Sequence, residues 1–112
     1  MMIIAHRGAS GSAPENTLAA FRRAIEDGAD WIEMDVCASR DHEIVVFHED
    51  RLERNTNGRG KVCARTLAQL KRLDAGSFFH PRFAGEQIPS LQEVIALVRP
   101  SHAQLLIEMK PG

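Results

Sequence analysis

At 112 residues, with 44% hydrophobic and 26% charged side chains, the chain has the composition of one soluble globular domain. A formal net charge of −1 gives no electrostatic footprint for nucleic acid or an anionic membrane. Its apolar runs are far too short to span a bilayer.

The chain opens on Met1-Met2-Ile3-Ile4-Ala5, which reads as a short buried strand running into His6, Arg7 and Gly8. No basic-then-apolar leader is expected ahead of a strand that begins at Met1. Ser12-Ala13-Pro14-Glu15 has the form of a capping box with proline in the first turn. It predicts a helix from Pro14 to Asp27, with Leu18, Phe21 and Ile25 on one face and Gly28 as its stop. Trp31 to Val36 forms a second strand and Ile44 to His48 a third.

From Glu49 to Pro89 turn residues dominate, and Thr66 caps a short helix carrying Leu67, Leu70 and Leu73. Ser90 and Glu93 form another capping box, opening a helix with Leu91, Val94, Ile95 and Val98 inward, and Pro100 ends it. Leu105 to Lys110 is the fourth strand. Strands alternating with helices predict an α/β fold with a parallel sheet, here about half of an eight-stranded barrel that would take roughly 250 residues in full. Residues 1–112 read as a single unit without an internal linker. Cys37 and Cys63 lack metal-type spacing, and two reduced thiols in a cytoplasmic chain are expected.

The chemistry gathers at strand ends. Side chains alternate along a strand, so Glu33 and Asp35 share one face, roughly 6–7 Å apart, while Ile32, Met34 and Val36 face the other way. Two carboxylates on an otherwise apolar strand repel each other and resist burial; a hard cation such as Mg²⁺ or Ca²⁺ relieves both. Glu108 and Lys110 repeat the pattern on the last strand. A tight turn at Asp41-His42 would set His48 across from Asp35, and a parallel return would bring it to the same level. Asp-His is a weaker hairpin signal than Asp-Gly, so the parallel return is preferred.

Singly, each residue has a plainer role. His6 suits a structural histidine at a strand end, Glu33 or Asp35 an arginine partner, and Lys110 a solvated position. Glu15 and Asn16 read as capping and loop-fixing groups, and His42, His80 and His102 as solvated loop residues. Jointly, three carboxylates, two cations and two histidines suit phosphodiester hydrolysis, where charge neutralisation and proton transfer supply most of the catalysis.

The stretches AHRGASGSAPENTLAAF, GADWIEMDVCASRDHEIVVFHEDRLERNTNGRGKV, TLAQLKRLDAG, FAGEQIPSLQEV and LLIEMK resemble the glycerophosphodiester phosphodiesterase family, in family order and over nearly the whole chain. The resemblance implies a TIM-type barrel with a small insertion after the third strand, at about residues 49–89. It implies that Glu33, Asp35 and Glu108 hold Mg²⁺ or Ca²⁺, that His6 and His48 are the acid/base pair, and that Arg7 and Lys110 bind the substrate phosphate. The expected reaction releases an alcohol from a small-molecule glycerophosphodiester and leaves glycerol 3-phosphate. The chain departs from the family pattern at His48-Glu49, where His-Asp is usual, and at Asp41-His42, where Asp-Gly is usual. A half barrel also leaves open sheet edges, so a self-associating, inactive homo-oligomer is one alternative and a sphingomyelinase D-like phospholipase another.

Overall fold

The computed structural model describes residues 1–109. Four strands form one sheet: β1 (Ile4–His6), β2 (Trp31–Ala38), β3 (Ile44–Val46) and β4 (Gln104–Met109). Helix α1 (Leu18–Glu26) follows β1, the one-turn α2 (Leu67–Leu70) lies in the long segment after β3, and α3 (Leu91–Val98) precedes β4. Short 3-10 turns occupy Val62–Ala64 and Pro81–Phe83.

Every other strand pairs with β2. β1 runs parallel to it with His6 level with Glu33, and β4 runs parallel along Trp31 to Val36 with Glu108 level with Asp35. The third strand is antiparallel, with Val36 opposite Val46, so the parallel return expected for it is wrong. The expected strand to His48 is also shorter, ending at Val46. A five-residue loop makes the hairpin close. Ser39 and Glu43 pair through their backbones at 2.8 Å, Ser39 Oγ accepts the Glu43 N–H at 3.0 Å, and His42 takes φ +64°. That left-handed conformation is costly for a residue with a Cβ. Replacing His42 with glycine is therefore expected to raise the melting temperature by a few degrees, and valine, which is β-branched, to lower it. Thermal unfolding of the two variants beside the parent checks the ordering.

The first helix starts later than expected. Ser12-Glu15 is not its cap; Thr17 is, its Oγ1 accepting the Ala20 N–H at 3.3 Å and donating to the Pro14 carbonyl at 2.7 Å. Arg7, Gly8 and Asn16 all have positive φ, which folds residues 7–16 into a tight loop closed by Asn16 N–H to the Arg7 carbonyl, 2.9 Å. Gly8 is required here: a Cβ would stand 2.8 Å from that of Ala20. Both later capping residues act as read, Thr66 with Gln69 and Ser90 with Glu93. On α3 Leu97, not Ile95, joins Leu91, Val94 and Val98 against the core.

Alternation along β2 divides the interior. Ile32, Met34 and Val36 pack under α1 and α3 with Phe21, Ala24, Val94 and Val98. On the opposite face Glu33 and Asp35 come first, then Cys37, which enters a second core with Val45, Phe47, Leu52, Val62, Leu70 and Ile88. Residues 49–89 thus fold onto the hairpin and build the second core jointly with it. The expected buried first strand is instead exposed, with Ile4 at 60% and Met2 at 64% exposure. β1 is hydrogen-bonded only to β2 among the described residues, and of its apolar side chains Ala5 packs against the core while Ile4 stays open. Leu106 and Met109 on β4 are likewise open.

Candidate active site

β2 presents Glu33 and Asp35 between its two edges. β4 fills one edge from Trp31 to Val36, so β1 and β3 share the other, β1 beside residues 31–33 and β3 beside 36–38. Phe47 continues β3 with its N–H on the Asp35 carbonyl at 2.9 Å. β1 and β3 therefore run toward each other; β1 ends in His6, level with Glu33, and His48 comes two residues after the end of β3.

From β1, His6 Nε2 lies 3.4 Å from Glu33 Oε2. Arg7 turns inward: its Nε stands 3.3 Å from Asp35 Oδ2 and its Nη1 donates to Glu15 Oε2 at 3.3 Å. Asn16 is buried and engages Asp35 twice, its Nδ2 donating to Oδ2 at 3.3 Å and its Oδ1 accepting the Asp35 N–H at 3.5 Å. From β4 comes Glu108. One oxygen each of Glu33, Asp35 and Glu108 lies within 4.8 Å of the other two.

This arrangement is strained electrostatically. Burial, then repulsion from Asp35, pushes the Glu33 carboxyl above its ordinary range, and Glu108 adds to this against the opposing pull of His6 and Arg7. Among the described residues neither Glu33 oxygen accepts a hydrogen bond, although both are buried. Three converging carboxylates, of which Glu33 is buried without a hydrogen-bond donor among the described residues, suit a hard divalent cation, which would supply that partner and offset the repulsion.

The raised Glu33 pKa has a sign that can be tested. The folded chain holds this proton more tightly than the unfolded chain, so the group's contribution to stability falls as pH rises from the ordinary carboxylate range through the raised value. Glu33→Gln does not titrate. Without divalent cations its stability relative to the parent should climb between about pH 4 and pH 7 in urea unfolding; a flat difference would contradict the assignment.

Five sequence-derived site residues, His6, Arg7, Glu33, Asp35 and Glu108, thus come together. His48 follows β3 on the same edge and lines a small enclosed cavity with Glu15, Asn16 and Asn55. Its Nδ1 faces Glu49 Oε2 at 3.7 Å. Lys110 lies outside the described residues. Asn16 and Glu15, read from sequence as loop-fixing groups, sit directly behind the site, on Asp35 and Arg7. The available signal was Asn16 itself, since asparagine tolerates positive φ and here directly precedes the helix cap.

Residues 6–112 match the model of the Glycerophosphoryl diester phosphodiesterase family. The putative glycerophosphodiester phosphodiesterase YhdW of Bacillus subtilis is 54% identical over 110 residues, covering 98% of this chain and 45% of that protein. A glycerophosphodiester phosphodiesterase of Caldanaerobacter subterraneus is 50% identical over 111 residues, covering 99% and 46%. Among solved structures, an Oleispira antarctica phosphodiesterase in complex with the product sn-glycerol-3-phosphate superposes with a TM-score of 0.96 at 45% identity, covering 100% of this chain and 45% of that one. The chain spans about half the length of the curated relatives it matches.

Proposed function

Because the chain belongs to the glycerophosphoryl diester phosphodiesterase family, we propose that it is the N-terminal half of a TIM-type barrel that hydrolyses glycerophosphodiesters to an alcohol and glycerol 3-phosphate. The observation that carries this reading is the convergence of Glu33, Asp35 and Glu108 beside His6 and Arg7 at the strand ends.

In this reading Glu33, Asp35 and Glu108 hold Mg²⁺ or Ca²⁺. The bound cation supplies positive charge against the developing charge on the phosphoryl oxygens. Arg7, held in place by Asp35 and Glu15, offers its guanidinium to the substrate phosphate, with Lys110 as a second cation. His6 and His48 divide the proton work. One accepts the proton of the oxygen that attacks phosphorus, and the other delivers a proton to the alkoxide leaving as the P–O bond breaks. Asn16 fixes Asp35 from behind, so that its carboxylate is oriented before substrate arrives.

Water-soluble glycerophosphodiesters are preferred in this reading over the choline-bearing lipids of a sphingomyelinase D-like enzyme, on the sequence resemblance of the Pro14-Glu15-Asn16-Thr17 stretch, whose Glu15 and Asn16 stand behind Arg7 and Asp35. No helix among the described residues is long and apolar enough to cross a membrane. Cys37 is a buried thiol pushed up to about 11 by burial, which leaves it a packing group with little thiolate character. The open apolar edges of β1 and β4 favour a second reading, in which the 112-residue chain holds a cation but self-associates and turns nothing over.

Hydrolysis of glycerophosphocholine, assayed with Mg²⁺, with Ca²⁺ and with chelator, separates the two readings. Activity that chelator removes supports the enzyme. A folded chain that binds the cation, runs as a dimer or larger and releases no choline supports the second reading.

A further inference from the structure

We propose that Glu49, held by Arg54, is the positioning residue that sets which ring nitrogen of His48 carries the proton. The inference rests on the reading of His48 as a proton-transfer group, and its main test is independent of turnover.

His48 leaves the sheet one residue after Phe47, whose amide is still bonded to Asp35. The ring is largely buried, with 27% of the side chain exposed, and it lines the cavity shared with Glu15 and Asn16. Glu49 divides its two oxygens. Oε1 accepts from Arg54 Nη1 at 2.8 Å, and Oε2 faces His48 Nδ1 at 3.7 Å. The commitment to Arg54 restricts rotation of the carboxylate and keeps the second oxygen on the imidazole.

A carboxylate accepts but cannot donate, so the neutral ring gains only when its single N–H is on Nδ1. The lone pair is then on Nε2, the nitrogen turned from Glu49. At 3.7 Å the contact is electrostatic rather than a hydrogen bond, a spacing that catalytic pairs often close when substrate binds. Free histidine in water prefers the proton on Nε2. An Nδ1–H tautomer would therefore be a signature of the protein environment.

The test is ¹⁵N NMR of the ring nitrogens of the 112-residue chain at a pH where His48 is neutral. The expected result is a dominant Nδ1–H tautomer in the parent, shifting toward Nε2–H in Glu49→Ala and part of the way in Arg54→Ala. A purely structural salt bridge would leave the tautomer unchanged. A dominant Nε2–H form in the parent would overturn the proposal, as would an unchanged tautomer in a folded Glu49→Ala chain. If Glu49→Ala fails to fold, Arg54→Ala decides by the same criterion. Where the parent hydrolyses glycerophosphocholine, Glu49→Ala should lower kcat about tenfold with KM little changed. Tautomer control without hydrolysis would support the positioning role and count against the proposed function alone.

Discussion

Replacing His6 with alanine is expected to slow glycerophosphocholine hydrolysis at least about a hundredfold, mainly in kcat, because general acid–base groups contribute on that scale. His6 is the last residue of β1, set level with Glu33 by the strand register and 3.4 Å from its carboxylate. It is also two-thirds exposed, so its ring is accessible to a substrate. The phosphate contacts assigned to Arg7 are untouched by the change, which should leave KM within a few-fold. Steady-state kinetics at saturating cation, with the variant's fold checked by circular dichroism, makes the comparison. Activity retained within threefold would remove His6 from the proton chemistry and leave it as a structural partner of Glu33.

The second large effect concerns the cation. The parent should gain about 2.7 kcal/mol of stability when Mg²⁺ or Ca²⁺ is supplied at a hundred times its dissociation constant, and Asp35→Ala should gain almost nothing. Asp35 is buried, central in the carboxylate cluster and held by Asn16 and Arg7. Alanine there also strips those two groups of a partner, costing on the order of 1–3 kcal/mol before any cation is added. Asp35→Asn retains the shape and isolates the charge, so both variants belong in the experiment. Melting curves with and without cation give the answer; equal shifts in parent and variants would exclude Asp35 as a ligand.

Much of the site was legible because it depends on strand alternation, which is local. Glu33 and Asp35 share a face for the same reason that Ile32, Met34 and Val36 share the other, and no tertiary information is needed. The caps at Thr66 and Ser90 are similarly local, each followed three residues later by the glutamine or glutamate that completes it. The direction of β3 was not legible. It depends on His42 adopting a conformation usually given to glycine while the Ser39 side chain closes the loop. At the first helix two capping signals compete, and positive φ at Asn16 settles the matter for Thr17. Burial of β1 misled because an apolar strand is buried only when something packs on it, which composition does not reveal. Asn16 was read for its loop and not for Asp35 because that pairing spans 19 positions of sequence.

The dependence of all three other strands on β2 has a dynamic consequence. A sheet with a single hub cannot open strand by strand from its middle: freeing β2 releases β1, β3 and β4 together. The amides of Trp31 to Ala38 should then exchange with solvent only through the largest openings of the molecule, while the ends of β1 and β4 exchange through fraying. Glu33 and Asp35 sit on that hub. A cation gripped there would slow exchange in all four strands at once, including β3, which contributes no ligand. The site would act as a latch on the whole sheet, closed by the same ion proposed for the chemistry.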